Sequence, residues 1–182
     1  MKRITILTLL LALCSVFSFQ LSAQDPNLHY FGIKNGSIFW ERNFDGYLTQ
    51  KQLVAILKTA DSSLLKNVAS AGPGTITAKV PMHAVQYDCP GIRPEQAEIL
   101  LTGAQVSGDV VISLYNGGYT VRVNHLVLKM SRPSTEYGIS GTHPFEYHFR
   151  RTGSIIKNTL FNTYLAAALD YELDHLFESN NY

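Results

Sequence analysis

The chain has 182 residues, 46% of them hydrophobic and only 16% charged, with a formal net charge of +1. So balanced a chain has no electrostatic footprint for nucleic acid or an anionic membrane face, and neither partner is expected. Only two cysteines occur, Cys14 and Cys89, and the first lies in an opening apolar run, so a core and not a disulfide must hold the fold.

The first residues read as a secretory signal peptide. Lys2 and Arg3 form a basic start, Ile4 to Phe19 is apolar, and Leu21-Ser22-Ala23 supplies a small residue at the cleavage point. The apolar run is too short for a membrane span and no stop-transfer flank follows. Cys14 sits inside that run behind Leu13, where a lipid-anchor site needs a small residue, so no lipid is expected. Residues 1–24 are therefore read as the signal peptide and 25–182 as a single α+β domain, periplasmic or secreted after cleavage near Ala23. Losing Lys2 and Arg3 leaves 13 basic against 14 acidic residues, a net charge of −1.

Leu28 to Ile33, Lys34-Asn35-Gly36 and Ser37 to Phe44 spell a hairpin, because Asn-Gly accepts the positive φ of a tight turn. A helix start follows. Thr49 is the N-cap, Gln52 completes a capping box, and Leu48 with Leu53 makes a hydrophobic staple. Leu53, Ile56, Leu57, Ala60 and Leu64 recur at helical spacing, which predicts a helix ending near Asn67, before Gly72-Pro73-Gly74. From Thr75 to His83 the chain alternates, with Ile76, Ala78, Val80 and Met82 on one side and Thr75, Thr77, Lys79 and His83 on the other. Pro81 has no N–H to donate, so it marks an edge or a bulge.

Tyr87 to Glu95 is turn-rich. Its Cys89, in Asp88-Cys89-Pro90-Gly91, reads as a small semi-buried turn residue, since no sequence neighbour would activate the thiol. Ala97 to Ala104 fits a short helix or a strand equally well. Val110 to Tyr115, Asn116-Gly117-Gly118 and Tyr119 to Met130 form a second hairpin. Ser131 to Gly153 reads as a long loop, and a last helix from about Ser154 to Phe177 carries the stripe Leu165, Leu169, Leu173 and Leu176.

The segment Gly36-Ser37-Ile38-Phe39-Trp40-Glu41-Arg42 with the Leu48-Thr49 helix start, and Asn116-Gly117-Gly118-Tyr119-Thr120-Val121-Arg122-Val123, together resemble a Bacteroidota family of exported proteins of unknown function. The resemblance runs from Tyr30 to Met130. It implies a TATA-binding-protein-like fold, an α+β architecture in which a curved antiparallel sheet carries two main helices on one face. It implies no activity.

Glu41 to Gln52 has a partial EF-hand rhythm, but Gln52 cannot give calcium its bidentate carboxylate, so a strand-to-helix turn is expected. His143-Pro144-Phe145-Glu146-Tyr147-His148 gathers two imidazoles and a carboxylate. Pro144 favours extended chain there, which puts Glu146 and His148 on one face, and a zinc site would need a further His such as His29, His83 or His125. Asp170, Glu172, Asp174, His175 and Glu178 fall opposite the leucine stripe and read as a solvated face. No catalytic elbow, phosphate loop or dinucleotide fingerprint occurs, and no cofactor is expected.

If helices cover Ile38, Trp40, Ile76, Val80, Ile112, Leu114, Tyr119 and Val121, alternation leaves Phe39, Glu41, Lys79, Tyr115 and Arg122 on the open face. Such a mixture of aromatics and charges suits an interface patch, and suits an ordinary solvated face with cross-strand pairs as well. The expected function is a non-enzymatic module that binds a protein or glycan partner through this face or through the Ser131–Gly153 loop. The alternatives are a metal-dependent hydrolase using His143, Glu146 and His148, and a carrier of a small apolar ligand between sheet and helices. Nothing in the sequence sets the oligomeric state.

Overall fold

The computed structural model describes residues 30–59, 64–131, 141–149 and 159–178. The segment read as a signal peptide, with Cys14 and His29, lies outside them, as do Ala60 of the expected first helix, 132–140 and 150–153 of the expected loop, and 154–158 of the expected last helix. Among the described residues seven strands run β1 (Phe31–Lys34), β2 (Ser37–Asp45), β3 (Lys66–Gly72), β4 (Thr75–Ala84), β5 (Ala104–Tyr115), β6 (Gly118–Met130) and β7 (Gly141–Pro144). Four helices are described: α1 (Gln50–Thr59), α2 (Pro94–Leu101), α3 (Phe145–Phe149) and α4 (Leu160–Phe177). The sheet order is β1-β2-β6-β5-β4-β3, antiparallel throughout, and β7 pairs with β6 beyond the end of β2.

Local chemistry sets the two long hairpins. Asn35 and Gly36 both take positive φ, 52° and 81°, between the paired residues Lys34 and Ser37, the geometry of a two-residue type I′ loop. Asn116-Gly117 joins Tyr115 to Gly118 in the same compact way. At α1 the capping box forms as expected: the Thr49 amide donates to Gln52 Oε1 at 2.9 Å and the Gln52 amide to Thr49 Oγ1 at 3.3 Å.

Several boundaries differ from expectation. The first helix is described over Gln50–Thr59, Leu64 and Leu65 are no longer helical, and Lys66–Gly72 is a strand on the edge beside β4. Its small residues carry no clear period, so pairing with β4 decides its state. Asn67 has φ 55° and cannot continue a helix. The ambiguous stretch divides into α2, ending at Leu101, and β5, beginning at Ala104, six residues before Val110. Within the stretch read as a loop, β7 and α3 are ordered elements.

The bulge at Pro81 has a larger effect. Register shifts between Val80 and His83, so Met82 turns out to solvent and His83 turns in toward the helices, the reverse of simple alternation.

One apolar cluster joins the helices to the sheet. Ile38, Trp40, Ile76, Val80, Ile112, Tyr119 and Val121 are buried in it, and Leu114 is packed against it. The α4 stripe Leu165, Leu169, Leu173 and Leu176 is buried as expected. The acidic residues of α4 are not a solvated face, however. The Trp40 indole donates to Asp170 Oδ1 at 2.8 Å, Arg42 pairs with Asp174, and Glu172 meets His83 at 2.8 Å. Asp170 and Asp174 lie one turn apart on one flank of α4 and Glu172 on the other, so the flanks reach β2 and β4 while the leucines cover the strands between.

Candidate functional site

The face of the sheet away from the helices gathers three of the five residues singled out from sequence. Glu41 on β2 and Arg122 on β6 are direct cross-strand partners. Arg122 Nε donates to Glu41 Oε2 at 2.5 Å, and its guanidinium carbon stands 4.6 Å from the centre of the Phe39 ring. Cation–π stacking and a charge-assisted bond thus hold one guanidinium from two sides. Both charged side chains remain about a third exposed, 33% and 34%, so the group is held in place yet open to solvent.

The other two residues stand apart. Lys79 reaches Asp109 of β5 at 3.5 Å, and Asp109 also meets His125 Nδ1 at 3.1 Å. His125 projects from a bulge in β6, where φ is 49°. Tyr115 lies at the hairpin tip, with its ring folded over its pairing partner Gly118. Sequence alternation placed neither Asp109 nor His125 on this face, because the bulge that sets His125 and Leu126 opposite Gly108 shifts the alternation. The EF-hand-like residues are taken up by pairing: Glu41 by Arg122, Asn43 by Thr120 at 2.7 Å, and Gln52 by the Thr49 cap.

The histidine cluster has a different geometry from the extended chain expected around Pro144. Pro144 ends β7, and Phe145–Phe149 turns into α3, because a proline suits the entry to a helix as well as an extended segment. On a helix, residues two apart face opposite ways, so Glu146 and His148 do not share a face. Glu146 Oε1 accepts the Ile38 amide at 2.8 Å, at the start of β2. His148 is buried, with its ring edge-on to His143 at 5.4 Å, and Tyr147 stacks on His143 at 4.6 Å. His83 and His125 are engaged by Glu172 and Asp109. Among the described residues, no group of three or more His, Cys, Asp or Glu side chains could hold a metal ion.

Two buried groups titrate away from their ordinary values. Burial alone would push the His83 imidazole down. The hydrogen bond and charge of Glu172, with the backbone of Pro81 and Val106, outweigh burial and leave it above 6.5. Burial, then the charges of Asp88 and Glu172, push the Cys89 thiol up, and the residue is buried within the core cluster. Among the described residues no helix is long and apolar enough to cross a membrane.

No protein-family model and no curated protein matches the chain. Among solved structures it is similar to a TBP-like protein from Parabacteroides distasonis, at 15% identity and a TM-score of 0.49, over 80% of this chain and 90% of that one. It is also similar to a DUF4468 family protein from Bacteroides ovatus, at 10% identity and a TM-score of 0.47, over 81% and 84%. These likenesses concern the fold: an α+β arrangement with an open antiparallel sheet and a TBP-like structural neighbour.

Proposed function

We propose that this chain is an exported, non-enzymatic binding module that holds a protein or glycan partner on the open face of its sheet. The observation that carries this reading is the Phe39–Arg122–Glu41 group. An arginine is fixed between a ring and a carboxylate on paired strands and still reaches solvent. Aromatic rings and arginine supply a large share of interface energy, and groups held in place beforehand lose little freedom on binding. The signal-peptide pattern of residues 1–24 supports a periplasmic or secreted location.

Two observations favour this over the alternatives. A hydrolase built on His143, Glu146 and His148 would need the Glu146 carboxylate, which is occupied by the Ile38 amide. A carrier would need space between sheet and α4, where Trp40, Phe44, Tyr119 and Phe177 pack ring against ring at 5.4 to 6.4 Å.

The test is partner capture from cross-linked envelope fractions and binding to a glycan array, comparing wild type with Arg122→Ala and Lys79→Ala. Loss of a true anchor weakens binding by about 2 kcal/mol or more, roughly thirtyfold in Kd. Undiminished capture by a folded Arg122→Ala protein would reduce the face to plain surface.

A further inference from the structure

The strongest unassigned feature lies on the other side of the sheet, where the Pro81 bulge turns His83 inward. Both ring nitrogens face acceptors: Nδ1 stands 2.9 Å from the Pro81 carbonyl oxygen and Nε2 2.8 Å from Glu172 Oε1. A neutral imidazole has one N–H and can satisfy only one of them, whereas the imidazolium satisfies both. The pair is well buried, with 13% of the His83 side chain and 8% of the Glu172 side chain exposed. Glu172 Oε2 is also buried and accepts no hydrogen bond from the described residues, so the carboxylate depends on His83 for its counter-charge.

The neighbouring groups do not replace that counter-charge. On α4, Asp170 and Asp174 face the other flank and are engaged by Trp40 and Arg42. From the segment before α2, Cys89 faces Glu172 as a protonated thiol, and the adjacent Asp88 adds negative charge. On β4, Lys79 points to the open face and pairs with Asp109. Among the described residues no lysine or arginine pairs with Glu172.

We propose that His83 and Glu172 form a proton-operated latch: the imidazolium fastens α4 to the β4 bulge, and losing that proton as pH rises loosens the C-terminal half of that helix. The sign follows from the direction of the shift. A histidine whose folded pKa lies above its unfolded value of 6.5 contributes its full stabilisation below 6.5 and loses it as pH rises through the folded value.

The test combines an NMR titration of the His83 ring with hydrogen exchange of residues 165–177 across neutral pH, for wild type, His83→Gln and Glu172→Gln. The His83 midpoint should lie above 6.5 in wild type and fall in Glu172→Gln. Above that midpoint, α4 amides corrected for intrinsic rate should exchange faster relative to His83→Gln, about tenfold for each unit by which the midpoint exceeds 6.5. A midpoint at or below 6.5, or parallel pH profiles for wild type and His83→Gln, would overturn the latch. If His83→Gln fails to fold, the wild-type midpoint and the pH dependence of its own α4 exchange decide the matter alone.

Discussion

Phe39 lies across Gly32, its cross-strand partner: a β-carbon on Gly32 would stand 2.7 Å from Phe39 Cζ. Tyr115 covers Gly118 in the same manner, with its hydroxyl 2.7 Å from where a β-carbon would be. In both pairs the ring shields backbone that glycine leaves bare, a known way of stabilising glycine in a sheet. Phe39→Ala should therefore cost more than an ordinary surface change, about 1 kcal/mol in urea denaturation. A double-mutant cycle with Arg122→Ala should return a coupling of about 0.5 kcal/mol or more. Strict additivity would show that the ring and the guanidinium do not support one another.

Two glycine-to-alanine changes should have opposite signs. A β-carbon on Gly118 would run into the Phe44 carbonyl oxygen, which cannot move without parting β2 from β6. A loss of about 2 kcal/mol or more is expected, with a matching fall in Tm. At Gly72 nothing lies within 4 Å, so Gly72→Ala should be neutral or stabilising by up to about 1 kcal/mol.

The buried hydroxyl of Tyr119 donates to the Phe177 carbonyl oxygen at 2.6 Å, tying β6 to the last turn of α4. Tyr119→Phe removes the donor and keeps the ring. Chemical denaturation should show a loss of about 1 to 2 kcal/mol, because the carbonyl stays buried.

Cys89 should behave as an inert thiol. Burial and two nearby carboxylates keep it protonated, so a disulfide reagent at neutral pH should label native protein far more slowly than unfolded protein. Equal rates in the two states would contradict its buried position.

Export can be settled by intact mass. Cleavage after Ala23 or Gln24 without lipid is expected, and a diacylglycerol adduct on Cys14 or retention of the first 23 residues would refute it.

Strong local signals were legible in the sequence: the Asn-Gly turns, the Thr49–Gln52 box and the leucine stripe of α4 each act within a few residues. The pairing of Glu41 with Arg122 was within reach as well, since both alternate onto the open face. Lys66–Gly72 was not legible, because Ala69, Ser70, Ala71 and Gly72 show neither period and the strand exists through its bonds to β4. The carboxylates of α4 were misread for a related reason. Opposite a leucine stripe, acidic residues look solvated until the helix is laid across strands wide enough to meet its flanks. His83 was misplaced because one bulge reverses alternation, and Pro81 announced the bulge without its direction.

The bonds that complete β2 have a consequence for the order of events during synthesis. The Ile38 amide is satisfied by Glu146, 108 residues later, and the Trp40 indole by Asp170, 130 residues later. Two residues near the start of the described residues thus wait for partners made near their end, and no nascent fragment lacking α3 and α4 can satisfy them. Contacts so distant along the chain slow the search for the native state, and folding in milliseconds to seconds is expected in place of the microseconds of a helical bundle. If residues 1–24 direct export as proposed, that delay is useful, because a polypeptide that cannot finish folding early stays threadable until its last helix has emerged.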